Sequence, residues 1–212
     1  DGGDKLVALI QTDGTTARSI ESAVVWKQGA VSSGTAYVDL QYSDARTAGY
    51  SFFKLVLLGV RIPAKQLALW ALKSSGTPET NGYYGGVFSH GEGGGYHYLS
   101  QQASSSNFNN YNYFPISAIR TGLENSIYLG NYTIYISDPV GSNITGIPAA
   151  YPNVWWQGTH RLSGSIASNT QGGGVNNQRS AHYGIRFGAQ DGSTAMDRCN
   201  YVLTAYKEGG QF

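Results

Sequence analysis

Cysteine is almost absent from this chain, and so is charge. A single cysteine, Cys199, among 212 residues excludes an intramolecular disulfide, so no covalent staple holds the fold. That fits synthesis in a reducing compartment such as a bacterial cytoplasm. Cys199 itself reads as a small buried hydrophobe rather than a nucleophile. Only 13% of residues are charged, roughly half the usual share. Lys plus Arg number 14 and Asp plus Glu 13, a net charge of +1, with no basic run anywhere. Clustered cations that would neutralise phosphates are missing, so nucleic acid is not an expected partner. Long apolar runs are missing too. The longest, Leu55-Val56-Leu57-Leu58-Gly59-Val60, suits a buried strand. It falls far short of the roughly 18 residues that span a bilayer, and membrane insertion is not expected. The first residues lack the basic and apolar regions of a signal peptide. Asp1-Gly2-Gly3, without Met, reads as a processed or trimmed start. Asn131-Tyr132-Thr133 and Asn143-Ile144-Thr145 match the glycosylation sequon and read as chance matches.

What is abundant is Gly, at 29 residues, and Tyr, at 16. With 41% hydrophobic residues the chain is not of disordered composition. Its length allows one ample core, and the expectation is a single domain over 1–212. Thr35 to Tyr42 alternates, with Ala36, Val38, Leu40 and Tyr42 on one face. Tyr132 to Ile136 alternates and stops at Asp138-Pro139; Val154 to Gly158 and Tyr183 to Phe187 follow; an Asp191-Gly192 turn leads to Tyr201 to Lys207. Such period-2 alternation is the mark of half-buried antiparallel strands. Leu6 to Gln11 and Ala23 to Lys27 are further strand candidates. Tyr50 to Val60 and Gln66 to Lys73, separated by Pro63, are apolar on both faces and read as strands covered on both sides, at the centre of the fold. Trp70 is expected in the core. No window shows helical periodicity and no repeat of fixed period stands out. The fold class expected is therefore all-β: one antiparallel β-sandwich, jelly-roll-like. Residues 74–113 read as a long Tyr/Asn/Gly-rich loop region with only short strands, such as Gly85 to Ser89 and Tyr96 to Gln101.

The order of these elements resembles the C-terminal β-sandwich domain of tailed-bacteriophage virion surface proteins, of the tail-fibre, tail-tip or head-fibre type. The resemblance rests on Thr35-Ala36-Tyr37-Val38-Asp39-Leu40, then Gly49 to Leu57, Pro63, Leu67-Ala68-Leu69-Trp70 and Ser74-Ser75-Gly76. It continues through Tyr132 to Ile136 with Asp138-Pro139, Trp156-Gln157-Gly158, the Asn-rich loop, Gly184-Ile185-Arg186-Phe187 and Tyr201-Val202-Leu203. It covers roughly residues 30 to 207. It departs at Tyr83 to Tyr113, which is longer and richer in Tyr and Asn, and at Met196-Asp197-Arg198-Cys199, where the family pattern has small residues. It implies a sandwich carried on the outside of a virus particle and supplies no catalytic residues.

The segment with the strongest functional chemistry runs from Asn81 to Tyr113. Tyr83, Tyr84, Tyr96, Tyr98, Tyr111 and Tyr113 offer rigid faces with polar tips, which cost little entropy to immobilise. His90, Glu92, His97 and Asn109 add hydrogen-bonding groups, and the intervening glycines let a ligand approach the backbone. Sugars present apolar C–H faces ringed by hydroxyls, so this composition suits a glycan. The alternative is a decorated loop that packs on the sheet or on a neighbouring subunit. In Trp155-Trp156, alternation sends one ring inward and the other outward. The outward ring serves either as a sugar platform or as an interface anchor. His90, Glu92 and His97 are weak as metal ligands at loop spacing, so no metal and no cofactor is expected. Glu79, Glu92, Glu124, Asp138, Asp191 and Asp197 are the carboxylates available to a glycosidase, but none lies in a recognisable motif. Asp138 and Asp191 read as turn residues. Gly172-Gly173-Gly174 reads as a flexible turn, since no Lys follows that would make it a phosphate cradle.

The expected function is therefore non-enzymatic: a phage or phage-like surface protein that binds host cell-surface glycan as an adhesin. It would be made in the bacterial cytoplasm and displayed on the virion surface, extracellular once released. Expected partners are host surface polysaccharide, other virion proteins and copies of itself, a homotrimer being favoured because repetition supplies avidity. A purely structural capsid or tail decoration protein is the alternative, and a cellular lectin is a third.

Overall fold

A computed structural model describes residues 9–12, 17–20, 23–48, 50–91, 96–101, 112–117, 127–137, 153–162, 167–176 and 182–207. Nearly all of it is strand. In chain order these are β1 (Leu9–Thr12), β2 (Ala17–Ile20), β3 (Val24–Val31), β4 (Tyr37–Gln41), β5 (Tyr50–Ile62), β6 (Leu67–Leu72), β7 (Tyr83–Gly91), β8 (Tyr96–Gln101), β9 (Phe114–Pro115), β10 (Ile127–Ser137), β11 (Asn153–Leu162), β12 (Ala167–Asn176), β13 (Gly184–Ala189) and β14 (Arg198–Lys207), with one short helix, α1 (Ser43–Thr47). No described helix is long and apolar enough to cross a membrane.

Apart from the β1–β2 hairpin, the strands form two antiparallel sheets. The large sheet has the order β3-β14-β5-β10-β11-β12-β7-β8 and the small one β4-β13-β6-β9. The pairs β3–β14, β4–β13, β5–β10 and β6–β9 are nested in sequence, outermost with outermost. An antiparallel ribbon rolled across two facing sheets has this order, and it defines a jelly roll. Four strands lie outside the roll. β7 and β8, between β6 and β9, and β11 and β12, between β10 and β13, extend the large sheet well past the edge of the small one.

Alternation builds the core. Phe53, Leu55 and Leu57 of β5 face inward with Ile134 and Ile136 of β10 and Leu203 and Ala205 of β14. Opposite them lie Leu40, Leu69, Ile185 and Phe187 of the small sheet. Aromatic contacts join the layers: Tyr42 stacks on Phe53 at 4.2 Å, and Phe187 meets Tyr201 edge-on at 5.6 Å. Gly59, at φ +67, allows a bulge that resets β5 so that Val60 and Ile62 point inward again. Trp70 and Cys199 are buried, as their apolar character predicts.

Several expectations need correcting. β6 is buried along its whole length, but β5 is not covered on both sides. Its outward residues Phe52, Lys54 and Val56 are half-buried and Leu58 is exposed, because among the described residues no further layer covers the outer face of the large sheet. Within 74–113, residues 83–91 and 96–101 are full strands of the large sheet. Gly172-Gly173-Gly174 is no turn: it lies inside β12, hydrogen-bonded to β11 and β7.

Tyr83 is a core residue rather than a surface one, with 2% of its area exposed. Its ring meets Phe114 edge-on at 4.8 Å. Its hydroxyl accepts from the Ala71 amide at 3.0 Å and donates to the Glu79 carbonyl at 3.0 Å. Strand β9 is too short to pair Ala71, so a side chain from β7 completes the edge of β6. Ser117 does the same for Leu67, its hydroxyl accepting from the amide at 2.8 Å. Tyr83→Phe would leave the Ala71 N–H buried without its acceptor. We expect about 1–3 kcal/mol of destabilisation, read as a lower urea midpoint with an unchanged m-value.

Candidate functional site

The outward face of the large sheet is where this molecule meets solvent with organised chemistry. On β11, residues 153, 155, 157, 159 and 161 point outward, while Val154, Trp156 and His160 are buried beneath. The two tryptophans divide as alternation requires: Trp156 is 1% exposed and Trp155 is 47% exposed. β11 is hydrogen-bonded on both sides, to β10 and β12, so Trp155 stands on a rigid support.

Register places Trp155 beside Tyr135, and Tyr135 beside Lys54. The Trp155 and Tyr135 rings lie 5.1 Å apart, tilted by 31°. Lys54 Nζ sits 5.8 Å from the Tyr135 centroid. Phe52 continues the cluster, 6.0 Å from Tyr135 and 5.6 Å from Tyr206. Next to this aromatic row runs an amide and hydroxyl row. Gln157 pairs with Thr133 on one side and Gln171 on the other. With Asn131, Thr159, Asn169 and Val56 they line a shallow depression. Asn131 is partly committed, since its Oδ1 accepts from the Gly59 amide at 2.9 Å. On the other flank of Trp155, Gly173 and then Gly86 succeed it across the sheet.

Aromatic faces carry a negative quadrupole that receives the weakly positive C–H face of a sugar ring. Amides both donate and accept, matching vicinal hydroxyls. A flat polyhydroxylated ligand is what this arrangement of groups can hold.

Only part of the predicted site gathers here. Trp155 is central to it. Tyr84 is half-buried on β7, two residues along the same face from Gly86. Tyr113 is half-buried but turned towards the small sheet, where its ring lies 5.8 Å from Trp70 and its hydroxyl donates to Gln190 Oε1 at 3.2 Å. His90, Tyr96, His97 and Tyr98 belong to the β7–β8 ladder, with His90 paired to Tyr96, Ser89 to His97 and Phe88 to Tyr98. Glu92, Asn109 and Tyr111 lie outside the described residues, as do Glu124 and Asp138. Sequence reasoning placed Gly86 in its candidate segment but missed Tyr135, Gln157, Gln171 and Gly173 as members of the same surface. Tyr135 and Gln157 alternate outward in strands that were recognised. No local signal brings β12 beside β11, because its glycines hide its strand character.

Four of the five described carboxylates, Asp39, Glu79, Asp191 and Asp197, are engaged in ion pairs or a turn. Asp39 receives both Nε and Nη2 of Arg186, at 2.6 and 2.8 Å, while that guanidinium lies 3.6 Å from the Tyr37 ring. The Asp39 hydrogen bonds hold the Arg186 pKa above its ordinary value. Glu79 is ion-paired with Lys73 at 3.4 Å and Asp197 with Arg61 at 3.0 Å. Asp191 organises the turn at Gly192, accepting from the Ser193 and Thr194 amides and the Thr194 hydroxyl. Burial raises its pKa, but those hydrogen bonds and Lys65 outweigh it and leave it at about 2. Among the described residues no group of three or more His, Cys, Asp or Glu is placed to hold a metal ion. No protein-family description, curated protein or solved structure matches this chain.

Beneath the site, His160 faces the core from β11, 3% exposed and 6.1 Å from the Tyr132 ring. Neither ring nitrogen has a hydrogen-bond partner among the described residues. Burial lowers its pKa from 6.5 to about 4. The folded state therefore keeps His160 neutral where the unfolded chain protonates, and stability falls as pH drops from about 6.5 towards about 4. Over that window one group contributes a slope of up to about 1.4 kcal/mol per pH unit. His160→Gln should flatten this part of the urea-midpoint-versus-pH curve; an unchanged slope would assign it to other groups.

Proposed function

We propose that this chain is a non-enzymatic adhesin on the surface of a tailed-bacteriophage or related particle, and that it holds host cell-surface glycan on the outward face of its large sheet. One observation carries the binding reading. Trp155 stands nearly half exposed on a doubly hydrogen-bonded strand, with Tyr135 at 5.1 Å and uncharged amides around it. Its pairing with Tyr135 leaves nearly half of Trp155 open to water, and pre-organisation of this kind lowers the cost of binding. The virion assignment is supported by the order of strand signatures from Thr35 to Leu203 and by a sandwich of the sort that resemblance implies. Fold alone does not decide function, so the site bears the weight.

Single sites of this shallow type bind weakly. Display of several copies, for which a homotrimer is our proposal, supplies avidity. Low charge suits a protein that packs against its own copies and other virion proteins.

The test is a glycan array of bacterial capsule and O-antigen polysaccharides, probed with the native protein, Trp155→Ala and Tyr135→Ala. We expect selective binding, weakened at least about tenfold by Trp155→Ala, equivalent to about 1.4 kcal/mol. The loss of stability should be limited to the Trp155–Tyr135 contact, about 0.5–1.5 kcal/mol. Folded native protein that binds nothing on the array would leave the structural decoration role as the better reading.

A further inference from the structure

The glycines of the large sheet are of two kinds. Most are forced by their neighbours. A Cβ on Gly172 would lie 2.3 Å from Cζ2 of the buried Trp156, and one on Gly158 would lie 2.2 Å from Cδ1 of Tyr132. Gly86 and Gly173 are different. Among the described residues a Cβ on Gly86 would meet nothing within 4 Å, and one on Gly173 would make only ordinary contacts, 3.5 Å to the Val154 carbonyl and 3.6 Å to Trp155 Cδ1. Neither has the positive φ that favours glycine. Glycine in the interior of a strand is a poor choice for stability, as it costs backbone entropy and packs nothing. At these two positions nothing among the described residues requires it.

These two unexplained glycines are direct partners on neighbouring strands, and Gly173 is in turn the partner of Trp155. They strip the outward face of side chains along a lane that crosses β7 and β12 and ends at the Trp155 ring. Gln171 and Val175 flank the lane on β12, and Tyr84 flanks it on β7. Resting on the glycan reading above, we propose that Gly86 and Gly173 form the floor of a trough for a linear, extended polysaccharide that crosses the strands. One sugar stacks on Trp155, and its neighbours lie on the bare backbone of β12 and β7.

Three features select that ligand. The lane runs in the hydrogen-bonding direction, where strands repeat every ~4.8 Å, close to the rise of one hexose in an extended chain. On β12 side chains stand on both sides of Gly173, so a substituent pointing sideways along that strand would meet Gln171 or Val175. The flanks, one amide, one aromatic and one aliphatic side chain, are not continuously apolar, which suits hydroxyls better than a protein partner.

The test sets stability against binding. Gly86→Leu and Gly173→Ala are compared with Trp155→Ala and the native protein. Readouts are thermal midpoint, sedimentation and binding to the capsule and O-antigen polysaccharides of the array, together with cellohexaose as a linear probe and branched dextran. We expect both glycine variants to keep or raise the thermal midpoint while losing binding at least about tenfold, and linear glycans to be preferred over branched ones. Binding abolished by Trp155→Ala but unchanged in Gly86→Leu overturns the trough and leaves the adhesin reading intact. Preference for branched glycans, or a glycine variant that alters only the oligomeric state, also overturns it. No binding by the native protein overturns both.

Discussion

Antiparallel pairing of β5 along both edges, to β14 and β10, is the constraint on which the rest of this molecule depends. It places Phe53, Leu55 and Leu57 in one inward column, with Ile134 and Leu203 in the adjacent columns. That surface must be covered, and the small sheet is the cover. Because side chains alternate with a period of two, the same register puts Phe52, Lys54 and Val56 on the other face. A slip of one residue would exchange the core with the candidate binding surface. The position of Tyr135 beside Lys54, and hence of Trp155 beside Tyr135, is therefore inherited from the pairing that makes the core.

The second consequence concerns the four strands outside the roll. β11, β12, β7 and β8 extend the large sheet past the small one, so their inner side is closed by other means. Trp156, Tyr83 and Phe114 fill it, and the segment 114–117 lies across it. Hydroxyls complete ladders that lack a strand: Tyr83 for Ala71, Ser117 for Leu67, and Thr170, which donates to the Ile116 carbonyl at 3.2 Å. The outer side needs no closing. On it an exposed tryptophan, amides and glycines lie on one face of neighbouring, doubly hydrogen-bonded strands. The overhang supplies the platform and the roll supplies the rigidity.

Much of the roll was legible in the sequence because its strands obey the period-2 rule. Leu40 and Tyr42, Ile134 and Ile136, and Ile185 and Phe187 are buried where alternation puts them. The division of Trp155 from Trp156 was legible for the same reason. The overhang was harder to read. Residues 167–176, Ala-Ser-Asn-Thr-Gln-Gly-Gly-Gly-Val-Asn, carry no β-branched or aromatic pattern to announce a strand. Gly172 and Gly174 are set by what lies beside them across the sheet, the Trp156 indole and the Tyr84 carbonyl. Tyr83 was misplaced because a tyrosine between glycines reads as a surface group, whereas its hydroxyl accepts from an amide of β6, at Ala71, on the other side of a turn.

The sequence by itself determined the class of fold and the inward or outward sense of most strands, because alternation is local and each residue's face follows from its neighbours. It also determined that no disulfide staples the chain and that its charges are few and balanced. Tertiary structure alone decided which strands became neighbours, and hence that Trp155, Tyr135, Gln157, Gln171, Gly173 and Gly86 share one surface. Strand order is set by long-range burial. β7 and β12 meet only because both extend the sheet that β5 begins, and no property of either segment in isolation contains that fact.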